Sequence, residues 1–185
     1  MKSAAHQVSH ERIDPDLKQD ISLKRLDHLH TYEVVAEMSP RPPSGTPPPV
    51  VAELGGRPVD LAALAVEICD RYHAHYTDEE ERHGPAGQAW CRHDNQWLLS
   101  WAVGDVQGVT DLDEQACWLG RELHARDFPV DRLAHNLRLA GEVARAQLGG
   151  DEGEALDDVP RRAARAVSSM GPRLTAERLT VSADQ

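Results

Sequence analysis

AGQAWCRHDNQWLLSWAV, residues 86–103, sets how the rest of the chain is read. It holds Trp90, Trp97 and Trp101, three of the protein's four tryptophans, whereas the whole chain has one phenylalanine and three tyrosines. At 3.6 residues per turn the three indoles fall within about 40° of one another, with His93 and Asp94 flanking their stripe. The spacing predicts a helix from about Ala86 to Val103. Two readings of its aromatic face are open. As a core seam, it makes Trp97 the most buried of the four tryptophans, and Trp97→Ala would cost about 3–5 kcal/mol. As a pocket wall, the flat indoles would sandwich a planar ligand, with His93 as axial ligand to haem or to the cobalt of a corrinoid.

Helical signals continue on both sides. Upstream, Pro58 and Asp60 open a helix with Leu61, Leu64, Ala65, Ile68 and Tyr72 on one face, and Gly84-Pro85 breaks the chain before the tryptophan helix. Downstream, Thr110 with Asp113, or Asp111 with Glu114, makes a capping-box start for a helix striped by Leu112, Ala116, Leu119 and Leu123. Asp127-Phe128-Pro129 ends it. Another helix runs from about Val130 to Leu148 with Leu133, Leu137, Ala140 and Ala144 aligned, and Gly149-Gly150 stops it. No segment shows sustained two-residue alternation, so strands are not expected. The fold class is all-α: a four-helix bundle or a compact globin-like helical domain.

Residues 51–150 form the predicted core domain. Residues 1–50 read as a flexible tail with a charge-rich segment, Asp16 to Met38, running into a proline-rich linker from Ser39 to Pro49. Residues 151–185 read as an acidic loop, Asp151 to Asp158, a fifth helix candidate carrying Arg161, Arg162 and Arg165, and a frayed end after Gly171-Pro172. That basic helix suits a docking peptide, an internal clasp on the acidic body, or a solvated helix paired with the acidic run.

The net charge of −11 argues against non-specific nucleic-acid binding and against docking on anionic membranes. Residues 51–150 hold nine basic and seventeen acidic side chains, a balance of −8, so a docking protein is expected to be basic or neutral. No apolar run is long enough to span a bilayer, and the first residues lack the apolar core of a signal peptide. Cys69, Cys91 and Cys117 are odd in number and embedded in helical pattern. They are read as three reduced, packed thiols of a cytoplasmic protein.

Other constellations are sparser. Glu80 and His83 have the i, i+3 spacing of carboxylate-bridged di-iron bundles, but no second Glu-x-x-His occurs, and the alternative is a solvated acidic face. Cys91 and His93 point apart on a helix, so no thiol–imidazole nucleophile is made locally. No hydrolase, kinase or nucleotide-binding loop is found. His135 and Asn136, on the helix after Pro129, are candidate polar partners for the tryptophan face from an opposite wall. The ligand-site candidates are therefore Trp90, His93, Asp94, Trp97, Trp101 and His135, bordering a predicted ligand-sized cavity.

NQWLLSW (95–101) and CWLGRELHARDFP (117–129), followed by a leucine-striped helix, resemble the all-helical modules that accompany cobalamin-binding domains in bacterial regulators. The similarity spans roughly residues 86–148 and rests on aliphatic layout and on the arginine-x-aromatic-proline break, Arg126 to Pro129. It implies a sensory or interaction module. The Asp-x-His-x-x-Gly motif of the cobalamin domain itself is absent, so the resemblance carries no corrin ligand. The reading that results is a non-enzymatic, cytoplasmic helical sensor or protein-interaction adaptor. Its alternatives are a haem- or corrinoid-binding protein using the tryptophan–histidine face, and a small metal-dependent enzyme built on Glu80 and His83.

Overall fold

Asp60 closes a β-hairpin and opens a helix. The computed structural model describes residues 43–183, with side chains as far as residue 171. The charge-rich segment Asp16 to Met38 lies outside the described residues. The chain divides after Pro40 into two units. Residues 43–50 have no regular secondary structure, as expected for the linker.

The first elements correct the expectation of no strands. Strand β1 (Val51–Leu54) pairs antiparallel with β2 (Arg57–Asp60), in the register Val51↔Asp60 and Leu54↔Arg57. Gly55 and Gly56 turn the chain with φ of 60° and 76°. Two consecutive positive φ values define the tight hairpin turn that suits the twist of paired strands, and two glycines reach them without steric cost. Four-residue strands are too short to show alternation, and Pro58 reads as a helix-start signal. Proline is tolerated here because a two-stranded ribbon consists of edges. Leu54 and Val59 point into the core.

Five helices follow: α1 (Leu61–His75), α2 (Glu79–Val106), α3 (Leu112–His124), α4 (Val130–Leu148) and α5 (Gly150–Ala183). The fold is all-α apart from the hairpin. Asp60 caps α1 by accepting from the Ala63 amide at 2.9 Å, and Asp111 caps α3 by accepting from the Glu114 amide at 3.1 Å. Gly84, at φ 58° and ψ −161°, breaks α2 into a short first piece and a long second one that starts at Pro85. That conformation is open to glycine and strained for most other residues.

The last helix corrects two boundaries. Asp151–Asp158 is not a loop, and Gly171-Pro172 does not end the helix; α5 runs from Gly150 to Ala183. Asp151 and Glu152 sit in its first turn, where the helix dipole favours acids. Leu156, Val159, Ala163, Val167 and Met170 then keep one face buried. Helix α4 packs chiefly on α5, α1 on α2 and α4, and α3 on α5. At the α4–α5 contact a Cβ on Gly141 would stand 3.0 Å from the backbone oxygen of Asp157, so the helices approach there to glycine distance.

Arg162 of α5 acts as an internal clasp, whereas Arg161 pairs with the acidic run of its own helix. Arg162 reaches Asp105 at 2.6 Å and Asp113 at 3.0 Å, tying α5 to the α2–α3 connection. Arg161 holds the buried Asp157 at 2.6 Å within α5 itself.

Candidate functional site

The core face of α2 is formed by Asn95, Leu98, Leu99, Ala102 and Val103. At 100° per residue, the Trp90–Trp97–Trp101 row lies about 150° around the helix from that face. The expected core seam is therefore corrected. Trp97 is half-buried and does not belong to the core, Trp101 packs on the core's margin, and Trp90 is 37% exposed. Helix α2 carries two apolar faces, and the aliphatic one faces the interior.

The aromatic face has internal order. Trp97 and Trp101 stack with centroids 5.9 Å apart and planes at 29°. Trp90 meets His93 edge-on at 5.4 Å. His93 Nδ1 lies 3.0 Å from Asp94 Oδ1, a carboxylate–imidazole pair on consecutive residues. Burial pushes the Asp94 carboxyl above its usual range, while His93 and Arg126 pull it down.

His135 is not brought to this face. Its ring packs against His75 at 4.4 Å and Tyr76 at 5.4 Å, at the far end of α1. The neighbouring Asn136 is the residue that reaches α2, about 100° around α4. It exchanges amide hydrogen bonds with Asn95: Asn136 Nδ2 donates to Asn95 Oδ1 at 2.8 Å, and Asn95 Nδ2 donates to Asn136 Oδ1 at 3.3 Å. Both asparagines are buried. Burial first, then the charges of His75 and Arg138, hold His135 below the usual histidine range, against the pull of Glu142.

The cysteine expectation is also corrected. Cys69 of α1 and Cys91 of α2 form a disulfide with their Cα atoms 6.0 Å apart, and Cys117 carries none. Separated by 22 residues and placed on different helices, the pair had no local signature. Its loop encloses the whole elbow between α1 and α2.

That elbow holds a charged network that sequence reasoning missed. Glu79, in the first turn of α2, is buried. The Tyr72 hydroxyl donates to its Oε1 at 2.9 Å, and Arg132 of α4 donates to the same oxygen. Arg132 also donates to Asp78 at 2.7 Å and lies over the Tyr76 ring, 4.5 Å from its centroid. Burial, together with the Glu79 charge, drives the Tyr72 phenol far above its usual range, so it stays a donor. The Asp78 and Glu79 carboxylates raise Arg132, against the effect of burial. In sequence, Glu79 is one of four consecutive acids and its arginine lies 53 residues away. A solvated acidic face was the natural reading of that run.

Beside the network opens a cleft of about 220 Å³. His73 of α1 and Tyr76 and Thr77 of the connection form one side; Glu79, Glu80, Gly84, Gly87 and Gln88 of α2 form the other. No tryptophan lines it. Glu80 and His83 do not form a metal-binding pair: His83 faces Glu79 instead, with Nε2 3.5 Å from Oε2. Among the described residues, no group of three or more histidine, cysteine, aspartate or glutamate side chains is placed to hold a metal ion. No helix among them is long and apolar enough to cross a membrane.

No protein-family profile matches the chain, and neither a curated protein nor a solved structure is significantly similar to it.

Proposed function

We propose that this chain is a non-enzymatic helical sensor or interaction adaptor whose working surface is the indole face of α2, and whose partner is a basic amphipathic protein segment. One observation carries the reading. Three indoles form a row off the core face of α2, with Trp97 half-buried, Trp101 on the core's margin and Trp90 37% exposed, on a domain of strongly acidic balance. Keeping large aromatic groups off the core gives up burial free energy, and such patches mark contact surfaces. Indoles beside carboxylates suit lysine and arginine side chains, which bring apolar stems and a cation together.

The test is a tryptophan-fluorescence titration of the full chain with a lysine- and arginine-rich amphipathic helical peptide, against the same peptide with glutamates in the basic positions. The basic peptide shifts the emission saturably and Trp97→Ala weakens it at least tenfold. Equal responses to both peptides, or an unchanged Trp97→Ala response, refute the reading.

A second reading, a haem- or corrinoid-binding protein, is favoured by one detail. Asp94 engages Nδ1 of His93, the arrangement that orients an imidazole and leaves Nε2 as ligand atom. His93 would hold the metal and the indoles would flank the macrocycle. The resemblance to helical companions of cobalamin domains belongs with the adaptor reading, since it carries no corrin ligand. Titration with haemin and with hydroxocobalamin, followed by visible absorption, decides it: a band shift lost in His93→Ala supports it, and no shift removes it.

The cytoplasmic placement expected from the sequence also belongs to the proposal, with a consequence. Cytosolic thiol buffers reduce ordinary disulfides, so in that compartment the Cys69–Cys91 pair would work as a dithiol.

A further inference from the structure

One buried amide lies beside both sulfurs of the Cys69–Cys91 disulfide. Asn95 Nδ2 stands 3.6 Å from Cys69 Sγ and 3.5 Å from Cys91 Sγ. Its firmer bonds go to the Cys91 carbonyl oxygen at 2.9 Å and to Asn136 Oδ1 at 3.3 Å. A neutral disulfide sulfur is a weak acceptor and draws little from this amide, whereas a thiolate accepts strongly. The two sulfurs also differ in access. Cys69 is 2% exposed on the core face of α1, and Cys91 is only half-buried on α2.

We propose that this pair is a thiol–disulfide exchange site for small monothiols, with Cys91 as the sulfur attacked and Cys69 as the leaving sulfur, received by Asn95. Exchange is governed by access to the attacked sulfur and by how well the leaving one carries charge, and here the two roles fall to different cysteines. In the first step a monothiolate attacks Cys91 Sγ. A mixed disulfide forms, the Cys69–Cys91 bond breaks, and the electron pair leaves on Cys69 Sγ, where Asn95 Nδ2 donates to it. A second monothiolate attacks the monothiol sulfur of the mixed disulfide and releases Cys91 as a thiolate. Both protein thiolates take protons from water. Two monothiols are thereby oxidised to one small disulfide while the protein gains two thiols, and the reverse sequence closes the bond again. Opening removes the covalent tie between α1 and α2 and draws the Asn95 amide away from Asn136 of α4. None of this depends on what the indole face binds.

The test treats the oxidised full chain with millimolar reduced glutathione at neutral pH, quenches and alkylates the thiols in acid, and maps the peptides by mass. The folded chain exchanges, and the trapped mixed disulfide carries glutathione on Cys91, with Cys69 alkylated, in at least tenfold excess over the reverse pattern. The Asn95→Leu, Asn136→Leu double variant removes the donor and its partner together, so that no buried polar group is stranded. Its disulfide opens at least tenfold more slowly, the worth of one hydrogen bond to a charged group. Mere loosening of the core would speed opening instead. Glutathione on Cys69 as often as on Cys91, or no exchange until the chain is unfolded, overturns the proposal. So does an opening rate unchanged or raised in a double variant with the parent's circular dichroism; if that variant does not fold, the mapping alone decides.

Discussion

Replacing Arg132 with methionine should produce the largest loss of stability of any single charge removal at the elbow. Methionine keeps much of the apolar stem that packs there, so what disappears is the guanidinium. Its two acceptors are unequal: Asp78 is 43% exposed, whereas Glu79 is 9% exposed. Losing the Asp78 contact costs at most about 1 kcal/mol, as for exposed pairs. Losing the Glu79 contact strands a buried carboxylate, and breaking a buried pair from one side costs about 3–5 kcal/mol. The Tyr72 hydroxyl still donates to Glu79, which places the expected total near the low end, about 3 kcal/mol. At a urea dependence of about 1–3 kcal/mol per molar, the unfolding midpoint falls by about 1–3 M with an unchanged slope. In the Glu79→Gln, Arg132→Met double variant the stranded charge is gone, so the losses are non-additive by at least about 1 kcal/mol. A loss below about 1 kcal/mol in Arg132→Met, or strict additivity in the cycle, would refute a buried, interdependent network.

Core and indole faces of α2 should separate on alanine substitution: Leu99→Ala, at a fully buried site, costs about 3–5 kcal/mol, and Trp97→Ala about 1–2 kcal/mol in the same urea assay. Without reductant the chain should present one reactive thiol, and after mild reduction three, given its three cysteines. Opening a loop with a sequence separation of 22 should lower stability by about 3 kcal/mol on the chain-entropy estimate. His135 is held below the ordinary histidine value of 6.5. As pH falls through that value the unfolded chain gains a proton that the folded chain refuses, so stability declines below about pH 6.5 until folded His135 titrates. His135→Gln should flatten the fall in melting temperature between pH 7 and pH 5, and an unchanged fall would place the titration elsewhere.

The elements that announced themselves in the sequence are those whose periodicity and caps are local. Helix α4 is found at its expected limits, Val130 and Leu148, because Leu133, Leu137, Ala140 and Ala144 keep a single stripe between Pro129 and Gly149. Asp60 and Asp111 cap α1 and α3 as their positions suggested. The hairpin escaped because its signal is Gly55-Gly56 alone. The helix carrying Arg161, Arg162 and Arg165 was expected, and only the first turns of α5 escaped, because acids suited to a helix N-terminus look like a loop when two glycines precede them. On α2 the aromatic stripe drew attention from the aliphatic one beside it, and the aliphatic one makes the core. The Glu79–Arg132 pair, the Asn95–Asn136 pair and the disulfide all join residues far apart in sequence, and no local pattern specifies which distant side chain completes such a pair. His135 was placed on the correct helix but on the wrong side, one residue from the one that crosses to α2.

The indole face as the working surface is tested most directly by its own resonances. The four tryptophans give four indole N–H signals in a nitrogen-15 correlation spectrum, assignable by single substitutions. On addition of the basic amphipathic peptide, the signals of Trp90, Trp97 and Trp101 should move together and saturate with one affinity, while the backbone amides of Leu133 to Val143 in the core stay fixed. Movement confined to residues outside α2, or none of the three indoles shifting, would contradict the account.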